Sequence, residues 1–164
     1  MAAIDTPIAP VFDVLEKESG RTIGLAETPA RILSVSEFQT DHTALRRIVD
    51  DTHWRLTTAR SCGEALQKLG YIDALVIFCE SSLPDGTWKD ILESIASFEK
   101  PPSLVVTSRL ADESLWSEVL NLGGYDVLSK PFIQEDVLRV LTSVWLRSTH
   151  PNPRPRTRVL RAAS

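Results

Sequence analysis

Four places in this sequence put a chemically capable side chain where an apolar run stops. Glu80 follows Ala74-Leu75-Val76-Ile77-Phe78-Cys79. Ser36 and Glu37 follow Ile32-Leu33-Ser34-Val35. Thr107 and Ser108 follow Leu104-Val105-Val106, and Lys130 follows Tyr125-Asp126-Val127-Leu128-Ser129. Carboxylates hold hard cations through oxygen, and an ammonium counters negative charge placed beside it. Each residue taken singly is an ordinary polar group at the end of a strand. Four such ends in one chain ask what would bring them together.

The elements between them answer that. The six-residue apolar run before Glu80 is too short for a typical helix and fits a strand buried on both faces. Pro84-Asp85-Gly86 then turns the chain, with Asp85 as a turn residue. Ile32–Val35, Trp54–Ala59, Leu104–Val106 and Tyr125–Leu128 read as the other strands, with Thr57 and Thr58 favouring extended backbone. Between them, apolar residues recur at helical spacing: Leu45, Ile48 and Val49; Ala65, Leu66 and Leu69; Trp88, Ile91, Leu92 and Ile95; Leu115, Val119 and Leu120; Val137, Leu138, Leu141, Val144 and Trp145. Ser61 with Glu64 three residues on gives a capping-box pattern, and Gly70 ends that helix. Strands alternating with helices imply a parallel sheet with right-handed crossovers. The carboxyl ends of its strands share one edge, which is where open α/β sheets place their sites.

Composition narrows the setting. The chain has 164 residues, long enough for one domain with a real core. Its formal charge of −4 gives no general case for nucleic-acid binding. Cys62 and Cys79 make no disulfide scaffold, and Cys79 lies inside the apolar run as a small buried hydrophobe. No stretch approaches a membrane span, and the N-terminus lacks the features of a signal peptide. A soluble, cytoplasmic protein without membrane partners is the expectation. Residues 1–29 form a leader in which Val11, Phe12, Val14 and Leu15 make one short amphipathic turn. Residues 30–148 form the single domain. Residues 149–164 are a Pro/Arg-rich flexible tail, expected to be a solvated terminus without sequence-specific nucleic-acid binding. His42, His53 and His150 show no metal spacing and read as surface or helix residues.

From Arg31 to Arg147 the chain resembles the receiver domain of bacterial two-component response regulators. The likeness lies in Ile32-Leu33-Ser34-Val35-Ser36-Glu37, Ala59-Arg60-Ser61-Cys62-Gly63-Glu64-Ala65-Leu66, Leu83-Pro84-Asp85-Gly86, Val105-Val106-Thr107, and Gly123-Gly124-Tyr125-Asp126-Val127-Leu128-Ser129-Lys130-Pro131-Phe132. The resemblance implies a flavodoxin-like (βα)5 doubly wound parallel sheet, which agrees with the reading of the elements. It also implies an aspartate that takes a phosphoryl group from a histidine kinase, and here that position is Glu80. An acidic pair that holds magnesium maps onto Ser36 and Glu37, and a metal-binding backbone carbonyl maps onto Ser82. The family hydroxyl maps onto Thr107, the family lysine onto Lys130, and the switch aromatic onto Val127.

Three of these positions depart from the family. Phosphoryl transfer depends on positioning and charge neutralisation. Glutamate pushes its oxygens outward by roughly 1.5 Å relative to aspartate, and a misplacement of about 1 Å can cost on the order of 100-fold in rate. Ser36 removes a charge from a site that binds a hard cation, so Mg2+ is expected to bind weakly or not at all. Val127 removes the ring that reports phosphorylation in the family. The expectation is a stand-alone, non-enzymatic degenerate receiver, a pseudo-receiver in a phosphorelay, acting by protein–protein interaction. Glu80 either imitates a phosphorylated aspartate by reaching Lys130 or simply replaces a lost acceptor. A histidine kinase or other signalling protein is the expected partner, and a homodimer through the fourth helix, fifth strand and fifth helix is open. Trp116 on that face is either an exposed anchor or a partly buried core residue. The rivals are a working receiver phosphorylated at Glu80 or Asp85, and a flavin- or nucleotide-binding flavodoxin-like protein. The second lacks a glycine-rich loop after the first strand.

Overall fold

The computed structural model describes residues 29–150. The leader to residue 28, with its amphipathic turn, and the tail from residue 151 lie outside the described residues. Strand β1 (Ala30–Val35) leads to helix α1 (Gln39–Val49), then β2 (Trp54–Ala59), α2 (Cys62–Leu69) and β3 (Val76–Glu80). A two-residue hairpin (Ser82–Leu83 against Gly86–Thr87) precedes α3 (Trp88–Ile95), followed by β4 (Ser103–Ser108), α4 (Glu113–Leu122), β5 (Asp126–Ser129) and α5 (Gln134–Thr149). The five long strands form one parallel sheet in the order β2-β1-β3-β4-β5. This is the expected flavodoxin-like α/β fold.

Both faces of the sheet are covered, and strand alternation divides the core in two. Leu33, Val35, Ile77, Cys79, Leu104 and Val106 point toward α2, α3 and Val119 of α4. Ile32, Val76, Phe78 and Val105 point toward Leu45 and Val49 of α1 and toward Val137, Val140, Leu141 and Val144 of α5. That is why the central strands read as unbroken apolar runs. Trp54 and Trp145 meet edge to face, with ring centroids 6.4 Å apart, and tie the start of β2 to the end of α5. Cys62 and Cys79 are buried free thiols, and burial pushes the Cys62 thiol up to about 11. Among the described residues no helix is long and apolar enough to cross a membrane.

Local details differ from the sequence expectation in instructive ways. Ser61 caps α2 as expected, its hydroxyl accepting from the Glu64 N–H at 3.1 Å. The Glu64 carboxylate, however, accepts from the Arg60 N–H at 2.8 Å, one residue before the cap, so the box is not reciprocal there. A complete box opens α3 instead: the Thr87 hydroxyl accepts from Lys89 N–H, and Asp90 accepts from Thr87 N–H at 2.9 Å. On α4 the expected buried stripe narrows to Val119, with Leu115 partly buried. Leu120 is 36% and Trp116 48% exposed, because α4 touches the sheet along a single line near its end.

Gly123 and Gly124 make that narrow contact work. Gly123 closes α4 with φ of 108°, the left-handed region that favours glycine. Gly124 follows with its N–H donating to Val119 O at 2.8 Å. A Cβ on Gly124 would strike the Val119 side chain and lie 3.1 Å from the Val119 carbonyl oxygen. Gly124→Ala is therefore expected to lower stability by about 1–3 kcal/mol through overpacking. Urea unfolding should show a lower midpoint with an unchanged slope.

Candidate functional site

The site forms because parallel strands end together and neighbouring strands pin the loops that follow. Ser36 N–H donates to Ala59 O at 3.0 Å, Ser81 N–H to Thr107 O at 3.0 Å, and Lys130 N–H to Ser108 O at 3.1 Å. Each loop after a strand is thus fixed to the strand beside it. In register, Glu80 stands next to Thr107. Both are buried at the edge of the sheet, with Ser36 and Ser108.

Lys130 is the centre of the site. Its ammonium donates to Glu80 Oε1 and, at 2.7 Å, to Asp41 Oδ2. The three side chains are only 6%, 11% and 12% exposed for Lys130, Glu80 and Asp41. The Ser36 hydroxyl donates to the same Asp41 oxygen at 2.6 Å and accepts from the Phe38 N–H at 3.0 Å. Above them lies the Phe38 ring, its centroid 5.1 Å from the Lys130 ammonium. An aromatic face at this range attracts a cation. It also covers the ammonium, while Phe38 itself stays 45% exposed.

The structure therefore brings together Ser36, Glu80, Thr107 and Lys130 among the residues read from sequence. It leaves Glu37 outside. That side chain is exposed, and its backbone carbonyl accepts from the Arg60 guanidinium at 2.9 Å. Ser82 lies exposed in the hairpin, opposite Thr87. Val127 is half-buried beside Val106 and packs on the core between the sheet and α2–α4. Asp85 is committed to α2: its carboxylate accepts from Cys62 N–H at 2.8 Å and Gly63 N–H at 2.9 Å, and these bonds hold it below the usual carboxylate range.

Two functional residues escaped the sequence reading. Asp41 supplies the second carboxylate from the first turn of α1, not from the end of β1. His42, read as a surface or helix residue, is on that helix but only 1% exposed. The signal was present in the spacing: residues 41, 42, 45 and 49 share one helical face, and all four are buried. His42 Nε2 lies 2.9 Å from Ser36 O and its Nδ1 2.9 Å from Ser34 Oγ. A carbonyl only accepts, so Nε2 carries the proton, and the neutral ring accepts from Ser34 at Nδ1. Burial holds the His42 pKa below 6.5, outweighing the bond to Ser36 and the nearby Asp41 charge, which raise it.

The residues present do not fit magnesium. Of the two positions to which the resemblance assigns an acidic pair, one is a serine and the other, Glu37, is exposed. The two carboxylates that are present share a lysine ammonium. Like charges about 4 Å apart repel by about 4 kcal/mol at an effective dielectric of 20, and a divalent ion doubles that. Among the described residues no group of three or more histidine, cysteine and acidic side chains is placed to hold a metal ion.

No protein-family model and no curated protein sequence matches this chain. Solved structures do match, among them response regulators and receiver domains. A two-component response regulator from Clostridium difficile superposes with a TM-score of 0.67 at 22% identity, covering 73% of this chain and 98% of its own. The signal receiver domain of an HD domain-containing protein from Pseudomonas fluorescens gives 0.67 at 21% identity, over 74% and 90%. A chemotaxis response regulator of Vibrio cholerae gives 0.65 at 21% identity, over 71% and 99%. At this identity the likeness is one of fold.

The His42 environment sets a pH dependence. Its folded pKa lies below its unfolded one, so between the two the unfolded chain binds a proton that the folded chain does not. This contribution is complete above the ordinary value of 6.5 and is lost as pH falls through it toward the folded value. Stability to urea should fall from about pH 8 to about pH 5.5. In His42→Gln that slope should be shallower.

Proposed function

We propose that this chain is a receiver-like signalling module that works through protein contacts and does not run a conventional phosphorylation cycle. The observation that carries the reading is the buried clamp at Lys130. In a phosphorylated receiver the lysine meets an acceptor that has gained negative charge. Here Lys130 already meets Glu80, and Asp41 holds the same ammonium from α1. The carboxylate at the acceptor position is engaged, lengthened by a methylene and nearly buried. Ser36 stands where an acid would help hold magnesium. Half-buried Val127 offers no ring to swing inward. Each change removes a part that turnover of a phosphoryl group needs, and none disturbs the fold.

The output of such a module is a surface. On α4, Trp116 and Leu120 are exposed, and with Tyr125, Arg139, Val140 and Ser143 they line a groove of about 360 Å³ between α4, β5 and α5. An exposed tryptophan beside an arginine is the kind of anchor on which protein interfaces concentrate binding energy. A histidine kinase, another signalling protein or a second copy of this chain is the class of partner this face suits.

Intact mass after incubation with acetyl phosphate and magnesium tests the reading. The native protein is expected to gain no phosphate, and a stable phosphoryl adduct on Glu80 would return it to the ordinary switches. Glu80→Gln should cost about 1–3 kcal/mol of stability, because the Lys130 ammonium loses a charged acceptor. Thermal or urea unfolding reads that loss. Trp116→Ala should leave stability within about 0.5 kcal/mol of the native protein while weakening self-association or partner capture by the domain.

A further inference from the structure

We infer that the Lys130 ammonium has taken the place between the edge carboxylates that a divalent cation would need, so that this site is complete without metal. The inference concerns the same site as the signalling reading, but it stands on the contacts alone.

The oxygens a cation would use already have partners. A hard divalent ion such as magnesium asks for several oxygen ligands in near-octahedral array and keeps some of its own waters. Here the two carboxylates are bridged by one ammonium, which contacts Glu80 Oε1 and Asp41 Oδ2 at once. Asp41 Oδ2 also accepts the Ser36 hydroxyl, so this oxygen already takes two donors. An ion at that oxygen would displace one or both. All three charged side chains are nearly buried, and Phe38 lies over the ammonium, so a hydrated ion would have to displace contacts that are already made. Glu37 could add a third carboxylate, but it faces solvent at the end of β1.

The same contacts do mechanical work that a metal would otherwise share. Asp41 belongs to α1, Glu80 to β3, and Lys130 follows β5. One ammonium therefore ties a helix and two strands at the edge of the sheet. Asp41 is a positioning residue for Lys130 in this arrangement, held in turn by Ser36.

Thermal unfolding and tryptophan fluorescence, run with a chelator and with millimolar magnesium or manganese, test the inference. The native protein should give the same curve in all three. Removing the ammonium in Lys130→Met leaves Asp41 and Glu80 facing each other without a counter-charge. That variant should be destabilised in chelator and recover by several degrees when magnesium or manganese is added. A metal-dependent rise in the native protein would overturn the inference, and so would a folded Lys130→Met indifferent to either ion. Should the variant fail to fold, calorimetric titration of manganese into the native protein decides alone: no heat of binding upholds the inference, and saturable binding abolished by Asp41→Asn and Glu80→Gln overturns it. Such binding without phosphate uptake would leave the protein-contact reading standing.

Discussion

A lysine ammonium held between two carboxylates, nearly out of water, constrains everything around it. Taking three charges out of solvent is costly, and the cost is met only while all of them keep their partners. Losing Lys130 would leave both carboxylates nearly buried without a counter-charge, a change that typically costs about 3–5 kcal/mol. Losing one carboxylate leaves the ammonium its bond to the other, so the lysine is the member on which the other two depend. Ser36 and the Phe38 ring belong to the same arrangement, the first by bonding to Asp41 and the second by covering the ammonium. The arrangement gives position more than raw stability, since it fixes where α1 sits relative to β3 and the loop after β5.

A parallel sheet is what makes such a cluster available. Residues far apart in the chain, 41, 80 and 130, arrive at one edge because each strand delivers its carboxyl end there and each crossover returns the chain to the other side. The two core layers then hold the strands in register from both faces. Beneath the cluster, His42 bonds the Ser36 carbonyl and Ser34, so the loop carrying Ser36 is held from below as well as from the side. The far end of the molecule is different in character. A groove of about 610 Å³ opens there, with Leu92, Pro102, Leu122 and Gly123 among its lining, well away from the charged edge.

The second carboxylate at Lys130 comes from α1, not from the end of β1. The hydroxyl of Ser36, just after β1, holds Asp41 in the first turn of α1. Glutamate at position 80 reaches farther than aspartate would, and its extra length is taken up by contact with Lys130. Ser36, Asp41, Glu80 and Lys130 thus form one connected set of hydrogen bonds and ion pairs.

The amino-acid sequence carries the fold, the order of the elements and most of their limits. Binary patterning and turn residues are local, and Ser61, Gly70, Pro84-Asp85-Gly86 and Gly123-Gly124 mark boundaries without help from distant residues. It also placed Ser36, Glu80, Thr107 and Lys130 on one edge, because strand ends in a parallel sheet must share it. Which acid faces Lys130 is a matter of packing in three dimensions. Glu37 and Asp41 are both carboxylates near the end of β1, and their choice depends on the direction in which α1 leaves the sheet and on which of its faces is buried. The exposure of Trp116 and Leu120 likewise depends on which face of α4 meets the sheet, where Val119 is the buried residue. Patterning says which residues share a helix face; the packing of that helix against its neighbours says what the face meets.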